Sequence, residues 1–224
     1  MLAKLRRTLR QAGDPLKAAA MQAYMKSAMP YHGVPTPLLR RILTTSFAHV
    51  QLPTAAQWQA QVLELWRNAK FREERYAAMH LAGDERARSF QTPAAMKLYE
   101  ELIITGAWWD YVDEIASNRV GPILRDYPAG MRRRMLAWSR SSDMWKRRTS
   151  IICQLKFKEE TDLALLYACI EPSLASQEFF LRKAIGWALR QYAWTDAAEV
   201  KRYVRRNRDR LSALSVREAL KNIT

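Results

Sequence analysis

The stretch GAWWDYVDEIASN, residues 106–118, places two adjacent tryptophans beside two aspartates. Its pattern predicts a helix, on which Trp109 and Asp113 lie four residues apart and share one face. This is unusual for a hydrophobic core, because a buried carboxylate needs a partner. An indole beside a carboxylate could hold a cation or stabilise positive charge that develops during a reaction. The alternative is a structural salt bridge from Asp113 to Arg148 or to another base.

Few other catalytic patterns accompany this carboxylate. The sequence contains no phosphate-binding glycine loop, no zinc motif and no convincing Ser-His-Asp arrangement. The three histidines are far apart and the two cysteines lack CxxC spacing, so we expect no metal and no cofactor. Glycosidases usually pair two carboxylates, because an alkoxide leaving group needs a proton. A cationic N-alkylpurine needs no such acid, and one carboxylate could stabilise the sugar cation and place a water.

The charge of the chain indicates a polyanionic partner. Its 224 residues carry a net charge of +15 and are 49% hydrophobic, as in a folded protein. Nucleic acid is the first candidate partner and an acidic membrane surface the second. No apolar run approaches the length of a membrane span, and the basic amphipathic start lacks an apolar signal region. We therefore expect a cytoplasmic, nucleoid-associated protein.

The elements that position Asp113 are predicted to be helices in a repeating array. Phe71, Trp108, Trp145 and Phe180 each precede a similar amphipathic pattern, at intervals of 37, 37 and 35 residues. Recurring helix pairs of this length are typical of HEAT-like repeats. The sequence therefore predicts an all-α, HEAT-like helical-repeat solenoid with a concave basic groove, formed as a single domain over residues 1–224. An irregular helical bundle is the alternative.

Alignment of the repeats indicates which side chains share the groove. Residues 130–158 contain nine basic side chains and one acid, and basic residues recur in the two repeats that follow. Binding of DNA through its phosphate backbone, with little base readout, would suit this distribution. The side chains predicted to form one strip are Trp109, Asp113, Arg148, Lys183, Trp187 and Arg190.

Several motifs resemble one known family. The segments TGAWWDYVDEIA, DMWKRRTSIICQLKFK, SQEFFLRKAIGWALRQYA and LSVREALKNI are similar to the AlkD family of bacterial DNA alkylation repair glycosylases. AYMKSAMPYHGVPTPLLRR near the start fits as well, so the resemblance covers nearly the whole chain. It implies HEAT-like repeats around a basic groove. It also implies excision of cationic N3- and N7-alkylpurines from double-stranded DNA, without a pocket for a flipped base.

The resemblance also implies roles for individual residues. Asp113 would be the catalytic carboxylate, and Trp109 and Trp187 would flank the deoxyribose of the lesion. Pro35 departs from the family pattern, which has a polar side chain there, so DNA geometry or lesion preference could differ. The residues expected to contact DNA are Arg148, Tyr24, Lys156, Lys183 and Arg190.

Two other classes of function stay open on the sequence. The first is a non-catalytic helical-repeat protein that binds double-stranded DNA. The second is a protein-interaction scaffold, although we find no apolar strip to support it. We expect a protein that tracks double-stranded DNA in this way to act as a monomer without metal.

Overall fold

The computed structural model describes residues 1–223, and all the regular structure in that range is helical. Asp14, Thr54, Asp143, Asp162, Asp196 and Ser212 cap helices with side-chain oxygens. A π-helical turn, Ala116–Val120, joins the helices Trp109–Ile115 and Gly121–Asp126. The helices are α1 Leu2–Ala12, α2 Pro15–Met25, α3 Thr36–Phe47, α4 Ala55–Arg67, α5 Arg72–Ala82, α6 Met96–Gly106, α7 Trp109–Ile115, α8 Gly121–Asp126, α9 Pro128–Ser139, α10 Met144–Ile152, α11 Leu163–Ile170, α12 Phe179–Tyr192, α13 Ala197–Arg206 and α14 Ala213–Leu220.

The contacts of the chain divide it into two compact units. The N-terminal unit, Met1–Phe90, contains α1 to α5, and the C-terminal unit, which begins at Gln91, contains α6 to α14. Short 3₁₀ turns punctuate both units, at Glu85–Phe90, Pro93–Ala95, Lys158–Glu160 and Glu171–Ser173. No helix within residues 1–223 is long and apolar enough to cross a membrane.

In the C-terminal unit, the aromatic residues that recur at regular intervals in the sequence pack against one another. Trp108 precedes α7, and Trp145 and Phe180 each occupy the second position of α10 and α12. Their ring centroids lie 6.3 Å apart for Trp108 and Trp145, 5.0 Å for Trp145 and Phe180, and 5.5 Å for Trp108 and Phe180. Because the leading aromatics of successive repeats touch, α7, α10 and α12 stack in order. The predicted all-helical repeat fold is confirmed.

In the N-terminal unit, a buried pair of carboxylates at the start of α5 organises the chain before it. Glu73 is fully buried and accepts the backbone N–H groups of His32, Gly33 and Val34 at 2.9, 2.8 and 3.1 Å. Gly33 adopts φ +84°, where a side chain would be strained, and this conformation turns the three N–H groups toward one carboxylate. Glu73 thus fixes the segment that leads into α3.

The neighbouring Glu74 is an ionic anchor for α1. Arg6 donates to both its oxygens at 2.7 and 2.8 Å, and the Lys70 backbone N–H donates at 2.7 Å. The Nε2 atom of His32 lies 3.3 Å from Oε1. Burial alone would raise the pKa of the Glu74 carboxyl, but the hydrogen bonds from Arg6, His32 and Lys70 outweigh it and lower the pKa to about 2. The folded protein therefore favours the ionised carboxylate.

This anchor makes stability sensitive to acid. A carboxyl whose pKa is lower in the folded state stabilises the fold above its unfolded pKa, and loses that contribution as pH falls to the folded pKa. For Glu74 the window runs from its ordinary value of 4.5 down to about 2. We expect a loss of about 3 kcal/mol of unfolding free energy across it. Urea unfolding at several pH values should show a smaller acid loss in Glu74→Gln; equal losses would contradict the assignment.

The last helix, α14, packs against α12 at a glycine. A Cβ atom on Gly186 would lie 2.4 Å from the Glu218 Cβ and 2.9 Å from the Ser215 carbonyl oxygen. Ser215 also donates its hydroxyl to the Arg182 carbonyl oxygen at 2.9 Å, which ties the two helices together. The two helices therefore approach each other closely at Gly186, and a side chain there would push them apart.

Two glycine-to-alanine variants test this packing. Gly186→Ala should lower the unfolding free energy by about 1–3 kcal/mol, because the new methyl group overpacks the α12–α14 contact. Gly130→Ala is the control, since a Cβ at Gly130 in α9 meets nothing within 4 Å. It should stabilise by about 0.5–1 kcal/mol through helix propensity. Denaturant titration measures both, and two variants of equal stability would disprove the close approach.

Candidate functional site

Asp113 and Arg148 form a two-pronged ion pair between α7 and α10. Arg148 Nε donates to Asp113 Oδ1 and Nη2 to Oδ2, each at 2.7 Å. The third arginine nitrogen, Nη1, donates to the Phe180 carbonyl oxygen at 2.6 Å. The Arg148 side chain is 5% exposed and that of Asp113 is 15% exposed. The pair therefore joins three successive repeats, and a small part of the Asp113 side chain stays exposed.

Local structure holds both partners in place. The chain enters α7 through Ala107, whose φ of 44° is left-handed, and leaves through the π turn, where Ser117 Oγ donates to the Asp113 carbonyl oxygen at 2.7 Å. Single π turns inside helices occur frequently at functional sites. Helix α10 is capped by Asp143, whose carboxylate accepts the N–H groups of Trp145 and Lys146 at 2.9 and 2.8 Å. The Asp113 backbone and the start of α10 are thus both hydrogen-bonded.

Burial and charge act in opposite directions on the Asp113 carboxyl. Burial raises its pKa, while the hydrogen bonds and positive charge of Arg148 lower it and the charge of Asp110 raises it. The net direction is upward from the ordinary value for aspartate. A carboxylate this desolvated would interact strongly with a cation placed beside it, because little water competes for it.

The two tryptophans assigned to the site are both half-buried. Trp109 is the first residue of α7, four residues before Asp113, and Trp187 lies on α12, where it packs against the core of the C-terminal unit. Trp108 belongs instead to the aromatic stack with Trp145 and Phe180. Part of each site indole therefore remains open to a ligand.

Two of the predicted DNA contacts converge on an acid that the sequence analysis did not single out. Lys183 Nζ lies 2.9 Å from Glu218 Oε1, and Arg190 Nη1 lies 2.7 Å from Glu218 Oε2. Lys183 precedes Trp187 by four residues and Arg190 follows it by three, so all three share one face of α12. The one signal in the sequence was Gly186, which indicates a close approach without naming its partner.

The remaining predicted contacts lie in different places. Lys156 is exposed just beyond α10, and its ammonium donates to the side-chain oxygen of Asn118 in the π turn. Tyr24 is 77% exposed on α2 and belongs to the N-terminal unit, whereas the other predicted site residues belong to the C-terminal unit. Among residues 1–223, no group of three or more His, Cys, Asp or Glu side chains could hold a metal ion.

Comparison with known proteins identifies the class of this helical-repeat fold. Residues 5–223 match the family described as DNA alkylation repair enzyme, and the chain belongs to that family. A solved structure described as a predicted DNA alkylation repair enzyme from Enterococcus faecalis is similar, with 27% sequence identity and a TM-score of 0.84. The match covers 95% of this chain and 97% of that one. No curated protein sequence matches the chain.

Removing one partner of the ion pair should be strongly destabilising. Arg148→Met leaves the desolvated Asp113 carboxylate without its partner and should lower the unfolding free energy by about 3–5 kcal/mol. Arg133→Met, which removes an exposed arginine from α9, should change it by less than about 0.5 kcal/mol. Urea titration of both variants makes the comparison.

A double-mutant cycle then isolates the pair. The variant carrying both Asp113→Asn and Arg148→Met should lose less stability than the two single variants lose together, because neither charge is left alone. Additive losses would show that the two side chains do not act as a pair in solution.

Proposed function

We propose that the protein is a monofunctional DNA glycosylase that hydrolyses the N-glycosidic bond of cationic N3- and N7-alkylpurines in double-stranded DNA. The observation that carries the proposal is the setting of Asp113, whose largely buried carboxylate is fixed by two hydrogen bonds from Arg148 while 15% of its side chain stays exposed. Its position in a family of DNA alkylation repair enzymes supports the same chemistry. The net charge of +15 supports the association with a polyanion.

In the proposed reaction, the bond between the sugar C1′ and the purine nitrogen breaks first. Its electron pair goes to the alkylated base, which carries a positive charge beforehand and departs as a neutral molecule without an acid. The sugar is left with oxocarbenium character, and the Asp113 carboxylate stabilises this charge. Water then bonds to C1′ and releases a proton to solvent. The products are the free base and an abasic site.

The neighbouring residues would assist this step in distinct ways. The faces of Trp109 and Trp187 would lie against the deoxyribose, where an indole attracts developing positive charge. Arg148 would keep Asp113 ionised and oriented, and would also hold the adjacent DNA backbone. Tyr24, Lys156, Lys183 and Arg190 would contact phosphates. We propose that the lesion is approached from its backbone side, without a base-flipping pocket, by a monomer whose residues 1–224 act as one domain around a groove.

The proposed reaction takes place on chromosomal DNA, so the protein would be cytoplasmic and nucleoid-associated. The second candidate is a DNA-binding helical-repeat protein without catalytic activity. One observation favours it: both Asp113 oxygens accept hydrogen bonds from Arg148, which is also what a purely structural salt bridge would show. The two candidates differ in turnover and not in affinity for DNA.

Release of free base from a duplex containing N7-methylguanine tests the proposal. The native protein should release the base, and Asp113→Asn should reduce the single-turnover rate by about 100-fold or more while binding undamaged DNA normally. Asp143→Asn is the matched control. It makes the same chemical change at the start of α10, where asparagine caps a helix as well as aspartate does, and should keep nearly the native rate.

Two outcomes would overturn the proposal. If the native protein binds DNA in a salt-sensitive manner but releases no base from this duplex or from methylated genomic DNA, the non-catalytic candidate is correct. If Asp113→Asn and Asp143→Asn excise equally well, the reaction does not depend on Asp113.

A further inference from the structure

Glu218 on α14 connects the two cations that lie on either side of Trp187. One carboxylate oxygen lies 2.9 Å from the Lys183 ammonium and the other 2.7 Å from the Arg190 guanidinium. The Glu218 side chain is only 13% exposed, less than its partners at 37% and 23%. The acid is therefore more buried than either of the two cations with which it pairs.

The backbone leaves little freedom in this arrangement. The Glu218 Cβ lies where a Cβ on Gly186 would be only 2.4 Å away, so α14 rests directly on α12 one residue before Trp187. The Ser215 hydroxyl holds the same contact from the preceding turn of α14. The pKa of Glu218 is lowered by the hydrogen bond from Lys183 and by the charges of Lys183 and Arg190, so the carboxylate is ionised at neutral pH.

We propose that Glu218 is a positioning residue of this site, which holds Lys183 and Arg190 on either side of Trp187 and cancels one of their two charges toward DNA. This inference rests on the proposed function, since it assigns Trp187 to the lesion sugar and the two cations to the flanking phosphates. Fixed cations place the DNA strand, and reduced charge limits attraction to undamaged duplex. Glu218 thereby lowers the affinity for undamaged duplex and improves the placement of the DNA strand.

A change of charge at Glu218 should separate binding from chemistry. Glu218→Gln exposes one more net positive charge, so the dependence of log affinity on log salt for undamaged duplex should steepen by about 0.9. The same variant should excise N7-methylguanine about tenfold more slowly in a single turnover, because the cations no longer hold the strand in place. A merely structural acid would weaken binding and excision together. Binding between about 50 and 200 mM salt gives the first quantity.

Two further variants control for charge and for rescue. Glu199→Gln removes an acid on α13 that is paired with Arg202 and Tyr167, and should leave both the slope and the rate at native values. Glu218→Asp keeps the charge and should restore the native slope. If the salt dependence of DNA affinity also steepened in Glu199→Gln, the effect would come from net charge alone, and the proposal would be overturned.

Circular dichroism would show whether Glu218→Gln folds, and if it does not, a second variant tests the same arrangement. Lys183→Gln leaves Glu218 paired with Arg190 and should flatten the salt slope by about 0.9. An unchanged slope would mean that Lys183 does not face DNA, and would overturn the proposal. A native protein that releases no base would defeat the proposed glycosylase activity, while the slopes would still decide the effect of Glu218 on binding.

Discussion

The ion pair between Asp113 and Arg148 is the interaction on which the rest of the site depends. It joins α7 to α10, and through the Phe180 carbonyl oxygen it reaches α12 as well. A carboxylate at this depth is unfavourable without a partner, and the fixed guanidinium makes its burial possible. The same pair therefore does two things. It ties three repeats together, and it keeps an anion in a setting where little water weakens its field.

The fold could be predicted from the sequence because each repeat has the same physical need. An amphipathic helix must cover its apolar face, and an aromatic residue at a fixed interval marks where that face begins. In the C-terminal unit the period is visible as touching rings of Trp108, Trp145 and Phe180. The approach of Asp113 to Arg148 followed from the same alignment. The stacking of the repeats and the approach of Asp113 to Arg148 do not depend on loop conformations, so residue spacing alone could predict both.

The partners of the basic side chains could not be predicted in this way. A lysine or arginine on a helix surface can pair with an acid distant in sequence, and composition does not reveal which one. Lys183 and Arg190 pair with Glu218, 35 and 28 residues later, across a contact that only Gly186 hinted at. Likewise, nothing in the spacing indicated that Glu73 would bind three backbone N–H groups. The net charge of +15 therefore gives the excess of bases over acids but does not show which cations have acidic partners.

The proposed mechanism uses one carboxylate and no general acid. Comparing excision of a cationic base with excision of a neutral base tests this most directly. We would compare excision of cationic N7-methylguanine with that of neutral hypoxanthine, placed in otherwise identical duplexes. We expect release of the first and none of the second, because a neutral purine leaves as an anion unless an acid protonates it. Comparable release of both would contradict this mechanism, since it would require a proton donor and the mechanism uses Asp113 only as a carboxylate.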